Sequence, residues 1–589
     1  MTRRPVRIAN CSGFYGDRLA AAREMVEGHV SGETIDVLTG DYLAELTMLI
    51  LWKARQKDPS AGYAKTFLVQ LEQVLGTCLD RGIKIVANAG GLNPGGLAEQ
   101  IGLLAGRLGL APQVAHVDGD DLVGRLAELQ AAGHDLVHLD TGRKLAEAGV
   151  EPVTANAYLG GWGITEALGA GADIVVTGRT TDASLVVGPA AWWHGWGRED
   201  VDRIAGAMAA GHVIECGPQA TGGNYAFFEE ITDRRYPGFP VAEIADDGSS
   251  VITKPDGTGG LVSVGTVTAQ LLYEIAEPAY LGPDATAHFD TLRLDQEAPD
   301  RVRISGTRGS APTDRLKVAL NYQGGFRNTM TLVLTGTAIE EKAAWAEEQL
   351  FGLLGGKERF AETDVRLLRF DRADAPVNDQ ATAHLRITVK DPDARKVGRA
   401  FSNTTMELAL GGYPGFHTTT PPSAESAFGV YWPTTVPAAE VQHRVTLPDG
   451  TQQTIPHPPA GPAPAAPTAA DHTPVRGPTT RHPLGTVAGA RSGDKGGNAN
   501  IGVWTRTDEE YRWLRAYLTV ERIRELLPEA ADLAIRRYEL PNLRAVNIVV
   551  VGLLGDGVAS ATRPDPQAKG LGEYLRSRLV DIPEALLRR

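Results

Sequence analysis

Six short apolar runs, each followed by a stretch of helical spacing, fill the first two hundred residues, and this alternation constrains the fold more than any other feature. The runs lie at 6–10, 34–38, 84–88, 113–117, 153–157 and 173–177, and the helical stretches at 16–29, 42–56, 62–81, 96–109, 120–132 and 183–194. Stretch 62–81 places Phe67, Leu68, Leu71, Val74 and Leu75 at the i, i+3/i+4, i+7 spacing of a half-buried helix. Alternation over this length predicts an N-terminal parallel sheet with helices on both faces. In such sheets ligands sit beyond the carboxyl ends of the strands. The loops that follow the apolar runs are therefore the first candidates for a site.

A chain of 589 residues exceeds what one core supports, so further domains are expected. The reading gives a Rossmann-like α/β domain over 1–240 and an α+β domain over 241–455, where strand-like segments crowd together. The second region closes on a hairpin, Val445-Thr-Leu-Pro-Asp-Gly-Thr-Gln-Gln-Thr454, with Asp449-Gly450 as its turn. Residues 456–483 carry nine prolines among Ala, Thr and Gly and read as an extended linker. Residues 484–589 then read as a small two-layer α/β sandwich.

A net charge of −14 speaks against nucleic acid or an anionic membrane as the partner. Three cysteines, Cys11, Cys78 and Cys216, make neither a disulfide framework nor a zinc site. No apolar run reaches the ~20 residues of a membrane helix, and no signal peptide is read at the start. These features predict a cytoplasmic protein. Trp192, Trp193 and Trp196 suit either a core or a buried interface, and a closed homo-oligomer is the default expectation.

The loop with the most pattern is Asn88-Ala-Gly-Gly-Leu-Asn-Pro94, between a short strand and a helix. Backbone N–H groups at such a junction have no partner inside the helix and suit an anion or a carbonyl. Asn88, Gly90, Gly91 and Asn93 are accordingly read as substrate-binding. Gly178-Arg-Thr-Thr-Asp182 follows the run 173–177. There Arg179 suits a carboxylate or phosphate, or an internal ion pair, and Asp182 either caps a helix or moves a proton. Cys11 ends the first run and reads as a nucleophile or a small buried thiol. In Gly211-His-Val-Ile-Glu-Cys-Gly-Pro-Gln-Ala-Thr-Gly-Gly-Asn224, read as a polar glycine-rich loop, Glu215 is the candidate general acid/base, with His212 as alternative and Asn224 as a contact. Ala490-Arg-Ser-Gly-Asp-Lys-Gly-Gly-Asn-Ala-Asn500 offers Arg491 and Lys495 to an anion, or Asp494 and Lys495 to an interdomain contact.

The fingerprints for dinucleotides, P-loop nucleotides, zincins and serine hydrolases are all missing. No cofactor is required, and Mg²⁺ on Asp118, Asp120 and Asp121 is the one metal alternative.

The motifs Asn88–Pro94, Gly171-Ala-Asp-Ile-Val-Val-Thr-Gly-Arg179, Ile214–Asn224, Ile252-Thr-Lys-Pro-Asp-Gly-Thr-Gly-Gly260 and Thr266-Val-Thr-Ala-Gln-Leu-Leu-Tyr-Glu274 resemble the acyclic terpene utilisation (AtuA-like) family. Arg491-Ser-Gly-Asp-Lys-Gly-Gly497 resembles the smaller domain often fused to it. The resemblance implies a place in bacterial degradation of acyclic terpenoids and branched acids through coenzyme A thioesters; it carries over no catalytic residue. The combined expectation is an enzyme of lyase or hydratase type acting on a carboxylic acid or acyl-CoA, with coenzyme A entering as part of the substrate. Gly90, Gly91 and Asn93 would polarise the carbonyl, Glu215 or Asp182 would move the proton, Arg179 would fix the acid, and Lys254 and Lys317 would meet the phosphates. The alternative is a non-catalytic assembly subunit for neighbouring enzymes.

Overall fold

The structure, a computed structural model, describes residues 3–462, 464 and 477–587. Residues 463 and 465–476 of the proline-rich segment lie outside these residues. The chain forms two compact units, one of residues 1–321, 431–558 and 565–589, the other of 322–430 and 559–564.

The first unit is built on an eleven-stranded sheet. Its centre is parallel: β1 (Val6–Asn10), β2 (Val37–Gly40), β3 (Lys84–Ala87), then Ile174–Thr177 and β4 (Val114–Asp118). With β5 (Pro152–Ala157) placed before it in the chain, Ile174–Thr177 is β6. Alternate side chains show why both faces are covered. Leu38, Ile85, Ile174 and Val176 enter one core with helices Ala21–Glu27, Lys65–Arg81 and Pro94–Leu108. Val37, Val86 and Val175 point the opposite way and are equally buried, on the side of helices such as Ser184–His194, which packs on β1 and β2. Burial on both faces is what a parallel sheet requires.

The boundary expected at residue 240 is crossed by this sheet. Strands β7 (Val241–Ile244) and β8 (Ser250–Thr253) extend it antiparallel from β1, and Arg301–Ser305 and Arg293–Ala298 follow. The expected hairpin forms, Arg444–Thr446 with Gln452–Thr454, but it extends the far edge beside β4. Residues that pair with a sheet in register cannot form a separate core, whatever their local composition. Helix Val201–Ile214 lies where a loop was expected, so His212 and Glu215 stand on its last turn and cap. The tryptophans pack within the chain: Trp196 Nε1 donates to Asp246 O and Trp193 Nε1 to Arg4 O.

The second unit holds a core of its own. Strands Glu362–Arg369 and Thr382–Asp391 pair with the later part of Arg315–Thr335, under helices Ile339–Leu354 and Arg399–Gly411.

The C-terminal segment is a four-stranded antiparallel sheet, Ala488–Lys495, Asn498–Thr505, Ala545–Val550 and Ile535–Leu540 in spatial order, with helices on one face. Two corrections apply. Thr479–Pro483, read as linker, is a strand paired with Leu579–Pro583. Ala490–Asn500, read as a glycine-rich loop, is a hairpin turning at Gly496-Gly497. Its alternation is informative. Ala490, Ala499, Ile501 and Val503 enter the small domain's core. The opposite face carries Gly489, Arg491, Gly493, Lys495, Asn500 and Gly502, and a Cβ on Gly493 or Gly502 would meet Tyr273 or Leu272 at 2.4 Å. These glycines let the sheet lie directly on the segment after helix Val264–Leu271.

Candidate active site

The carboxyl ends of the parallel strands build a polar floor. At the end of β1, Asn10 Nδ2 donates to Ile214 O (2.7 Å) and Glu215 O (2.8 Å), satisfying carbonyls that the end of helix Val201–Ile214 leaves open. After β2 comes Asp41, which accepts from Asn88 Nδ2 (2.6 Å) at the end of β3. Asn88 Oδ1 in turn accepts the Tyr42 N–H (2.7 Å). After β4, Asp120 accepts from Asn156 Nδ2 of β5 (2.7 Å) and from the Arg179 N–H that follows β6 (2.9 Å). A Cβ on Gly211 would meet Ala183 O at 2.8 Å, so the helix bearing His212 and Glu215 seats against the turn bearing Asp182.

Arg179 lies at the centre, 3% exposed. Its guanidinium donates to Asp182 (2.5 Å) and stacks on Tyr158 (4.2 Å to the ring centre). Burial opposes its charge, but Asp182, Tyr158 and Asp41 hold it firmly cationic. Glu215 is the counterpart. Burial and then the charge of Asp182 push its carboxyl well above the usual range, against the pull of Arg179 and Lys495. Its Oε2 is buried without a hydrogen-bond partner, and Oε1 lies 3.2 Å from His212 Nδ1 without a well-aligned bond. Asp41 is likewise pushed up, first by burial and then by Asp182, although Arg179 and Asn88 act against this.

Above this floor stand ionisable side chains that are only half-buried. Lys317 (37% exposed), Glu274 (34%), Glu45 (30%) and Asp182 (26%) keep contact with solvent, while Arg179 and His212 beneath them do not. This gradient is that of a cleft. Lys317 lies 3.7 Å from Glu45 and 4.8 Å from the Tyr158 ring centre. Lys495, from the small C-terminal sheet, donates to Glu274 O (2.8 Å), and Asn500 Oδ1 accepts the Glu274 N–H (2.7 Å). Burial and neighbouring carboxylates raise Glu274 to about 8 and Asp494 to about 8. Among the described residues the buried Tyr158 hydroxyl has no hydrogen-bond partner, and the Tyr431 hydroxyl lies beside Lys317.

Several expected site residues belong elsewhere. The N–H groups of Gly91, Leu92 and Asn93 donate to Asn88 O, Gly62 O and Gly90 O, so no anion cradle forms in this turn. Asn93 caps helix Pro94–Leu108 through Gly96 N (3.0 Å) and donates to Ser60 O. A Cβ on Gly90 would meet Thr177 O of β6 at 2.5 Å and one on Gly91 would meet Leu51 of helix Glu45–Lys57 at 2.3 Å, so these glycines serve close packing of the turn against β6 and that helix. Gly90→Ala is expected to cost about 1–3 kcal/mol, seen as a lower urea midpoint. An unchanged midpoint would show that the turn can shift.

Cys11 is 4% exposed within the main core, and burial pushes its thiol up to about 12, so it is the small buried thiol and not a nucleophile. Asn224 is exposed in a left-handed turn. Lys254 is bound to Asp300 (3.1 Å) and Thr258 O (2.8 Å), beside an open groove of about 760 Å³ whose lining shares no residue with the Arg179 cluster. The three aspartates read for Mg²⁺ each have a partner within the protein. Asp118 pairs with Arg444, Asp120 holds Asn156 and Arg179, and Asp121 caps Val123. Among the described residues no cluster of His, Cys, Asp and Glu is arranged to hold a metal.

Asn88, Arg179, Asp182, Glu215, Lys317 and Lys495 are brought together, and Glu274, the last residue of the motif 266–274, joins them, as do Glu45, Tyr158 and Tyr431 without a motif to announce them.

A model of the acyclic terpene utilisation family protein AtuA matches residues 6–447, three quarters of the chain. The chain belongs to the AtuA family. The AtuA ferredoxin-like domain matches residues 482–581, and in this AtuA member that domain supplies Lys495 and Asp494 to the cleft. It contains no cysteine, so the likeness to ferredoxins is one of fold and offers no thiolates to an iron–sulfur cluster. No curated protein and no solved structure matches the chain. No helix among the described residues is long and apolar enough to cross a membrane.

Burial holds His212 at about 3, with Lys495 adding to the effect, and burial holds His443 at about 3. Both are neutral when folded and charge in the unfolded chain near 6.5. Their contribution to stability is full above pH 6.5 and is lost as pH falls toward 3, by up to about 1.4 kcal/mol per pH unit each. Urea melts from pH 7 to pH 4 should show this slope, and His212→Gln should reduce it. An unaltered slope in His212→Gln would assign the acid lability to other groups.

Proposed function

We propose that this AtuA family member is an enzyme of acyclic terpenoid or branched-chain acid metabolism, acting on a carboxylic acid or its coenzyme A thioester by acid–base chemistry of the lyase or hydratase type. The observation that carries this reading is the pair formed by Glu215 and Asp182. One is a buried carboxyl with a free oxygen, whose neutral form burial favours, the other a carboxyl bound by Arg179 and partly open to solvent. Two carboxyl groups in contrasting environments can divide the acid and base roles of one reaction.

For addition of water across a conjugated double bond, Asp182 takes a proton from water as its oxygen bonds the β-carbon. Glu215 gives its proton to the α-carbon, and proton exchange between the two groups through solvent restores the site. Arg179, Lys317 and Lys495 face the negative charge that develops on the carbonyl oxygen in between. The reverse sequence eliminates water. No redox cofactor enters either direction.

The test is direct. A thermal-shift screen against free branched acids and their acyl-CoAs identifies the ligand, since one present at 100 times its Kd adds about 2.7 kcal/mol. Branched enoyl-CoAs that bind are then assayed by loss of the conjugated absorbance. Binding and turnover support the enzyme. Folded protein that binds none of these ligands leaves the assembly-subunit reading instead.

A further inference from the structure

Two cations of the C-terminal domain stand apart from the Arg179 cluster, Arg491 with no carboxylate partner among the described residues and Lys569 with Glu274 alone. Arg491 is 5% exposed, and its guanidinium stacks 4.3 Å from the centre of the Tyr273 ring. Its NH2 donates to the neutral Gln219 Oε1, and its Nε is buried without a partner. Among the described residues no carboxylate pairs with it. Lys569 Nζ lies 4.5 Å from the same ring centre and donates to the Tyr273 hydroxyl. The carboxyl nearest to Lys569 is Glu274 at 3.7 Å, which burial, Glu45 and Glu215 raise to about 8 and so leave largely uncharged at neutral pH.

A buried guanidinium ordinarily sits in an ion pair, because removing the charge from water costs several kcal/mol unless an opposite charge offsets it. For Arg491 that offset is missing, and a second cation, Lys569, converges on the same ring. Burial accordingly lowers the pKa of both Arg491 and Lys569. Access exists from one side. Lys569 is 37% exposed, and Cys216 and Gln219 are partly exposed, with Arg491 as the floor. Glu274 and Cys216, the neighbour of Glu215, connect this place to the proposed active site.

We propose that Arg491 and Lys569 form an oxyanion-binding subsite that takes a phosphate or carboxylate group of the ligand. The ligand is thereby held at two places, its reacting end at Arg179 and Glu215 and a second charged group at Tyr273. This rests on the enzyme reading for the identity of the ligand, but binding of the oxyanion itself does not. It also replaces an expectation: Lys254 and Lys317 were offered for phosphates, yet the first is bound to Asp300 and the second joins the reactive cleft.

The experiment is calorimetric titration of the full chain with inorganic phosphate, coenzyme A and acetate. Wild-type protein binds at least one of them. Arg491→Met and Lys569→Ala each weaken that binding roughly tenfold or more, as loss of a charge-assisted hydrogen bond does. Arg491→Met removes an unpaired buried charge, so its thermal midpoint stays level or rises, and Lys569→Ala, nearer the surface, guards against misfolding of the first variant. Phosphate and coenzyme A binding without acetate assigns the subsite to a phosphate group. Acetate binding assigns it to a carboxylate. No binding of any of the three to wild-type protein, or equal binding to both variants, overturns the proposal. Glu215→Gln separates this from the enzyme reading: it should lose turnover yet keep the oxyanion affinity.

Discussion

Glu215→Gln is expected to lower turnover of the true substrate by about 10²–10⁴-fold, the range that a positioned proton donor contributes, without loss of the fold. The amide keeps the shape of a carboxyl whose neutral form burial favours, so packing at the end of helix Val201–Ile214 is expected to be undisturbed. The sign of the pH effect follows from the same shift. A carboxyl whose folded pKa is raised stabilises fully below its unfolded value near 4.5 and loses that contribution as pH rises through the folded value. Wild-type protein should therefore weaken relative to Glu215→Gln as pH increases from about 4.5. Denaturation midpoints of both proteins across that range, beside kcat, check the two halves together. A variant that keeps wild-type turnover would remove Glu215 from the mechanism.

Arg179→Leu should be the most damaging single change in the cleft. It strips the positive charge from between Asp182, Asp41 and Glu215, and breaking a buried pair by removing one partner costs on the order of 3–5 kcal/mol. The lower end applies, because Asp182 is 26% exposed and water screens part of the effect. The double variant Arg179→Leu/Asp182→Leu removes both charges, so it should recover much of the stability while staying inactive. Urea midpoints of the two variants and the wild type complete the comparison. If the double variant is no more stable than Arg179→Leu, the guanidinium acts chiefly through Tyr158 and the backbone.

The parallel centre of the sheet was legible because its strands are short, doubly buried runs separated by helices of regular spacing, such as Lys65–Arg81 behind Phe67 and Leu71. Its antiparallel wings were not, since a strand such as Val241–Ile244 has no local mark of the strand it will join. The same contrast divides the site. Arg179 and Asp182 end a clear strand, so their position followed from the fold class. Gly90 and Gly91 were misread because a glycine that allows close backbone approach looks the same in sequence whether the approaching group is a ligand or Thr177. Tyr431 and Lys569 stand alone in their surroundings, and only the folded chain brings them near Glu274. The hairpin Ala488–Thr505 held a readable clue, since odd positions 489, 491, 493 and 495 alternate glycine with a cation while even positions 488 and 490 are alanine.

The contacts that close the cleft join residues far apart in time of synthesis. Lys495 reaches Glu274 across 221 residues and Arg491 reaches Gln219 across 272. At about 5–20 residues per second, a ribosome completes the large sheet and then leaves Glu274 and the Tyr273 ring uncovered for several seconds more. Translation that stops near residue 480 would release a protein with its main sheet assembled and its glycine-faced lid missing. A chain that lacks residues 484–589 is therefore expected to hold its main sheet yet lack Lys495 and Arg491 at the cleft.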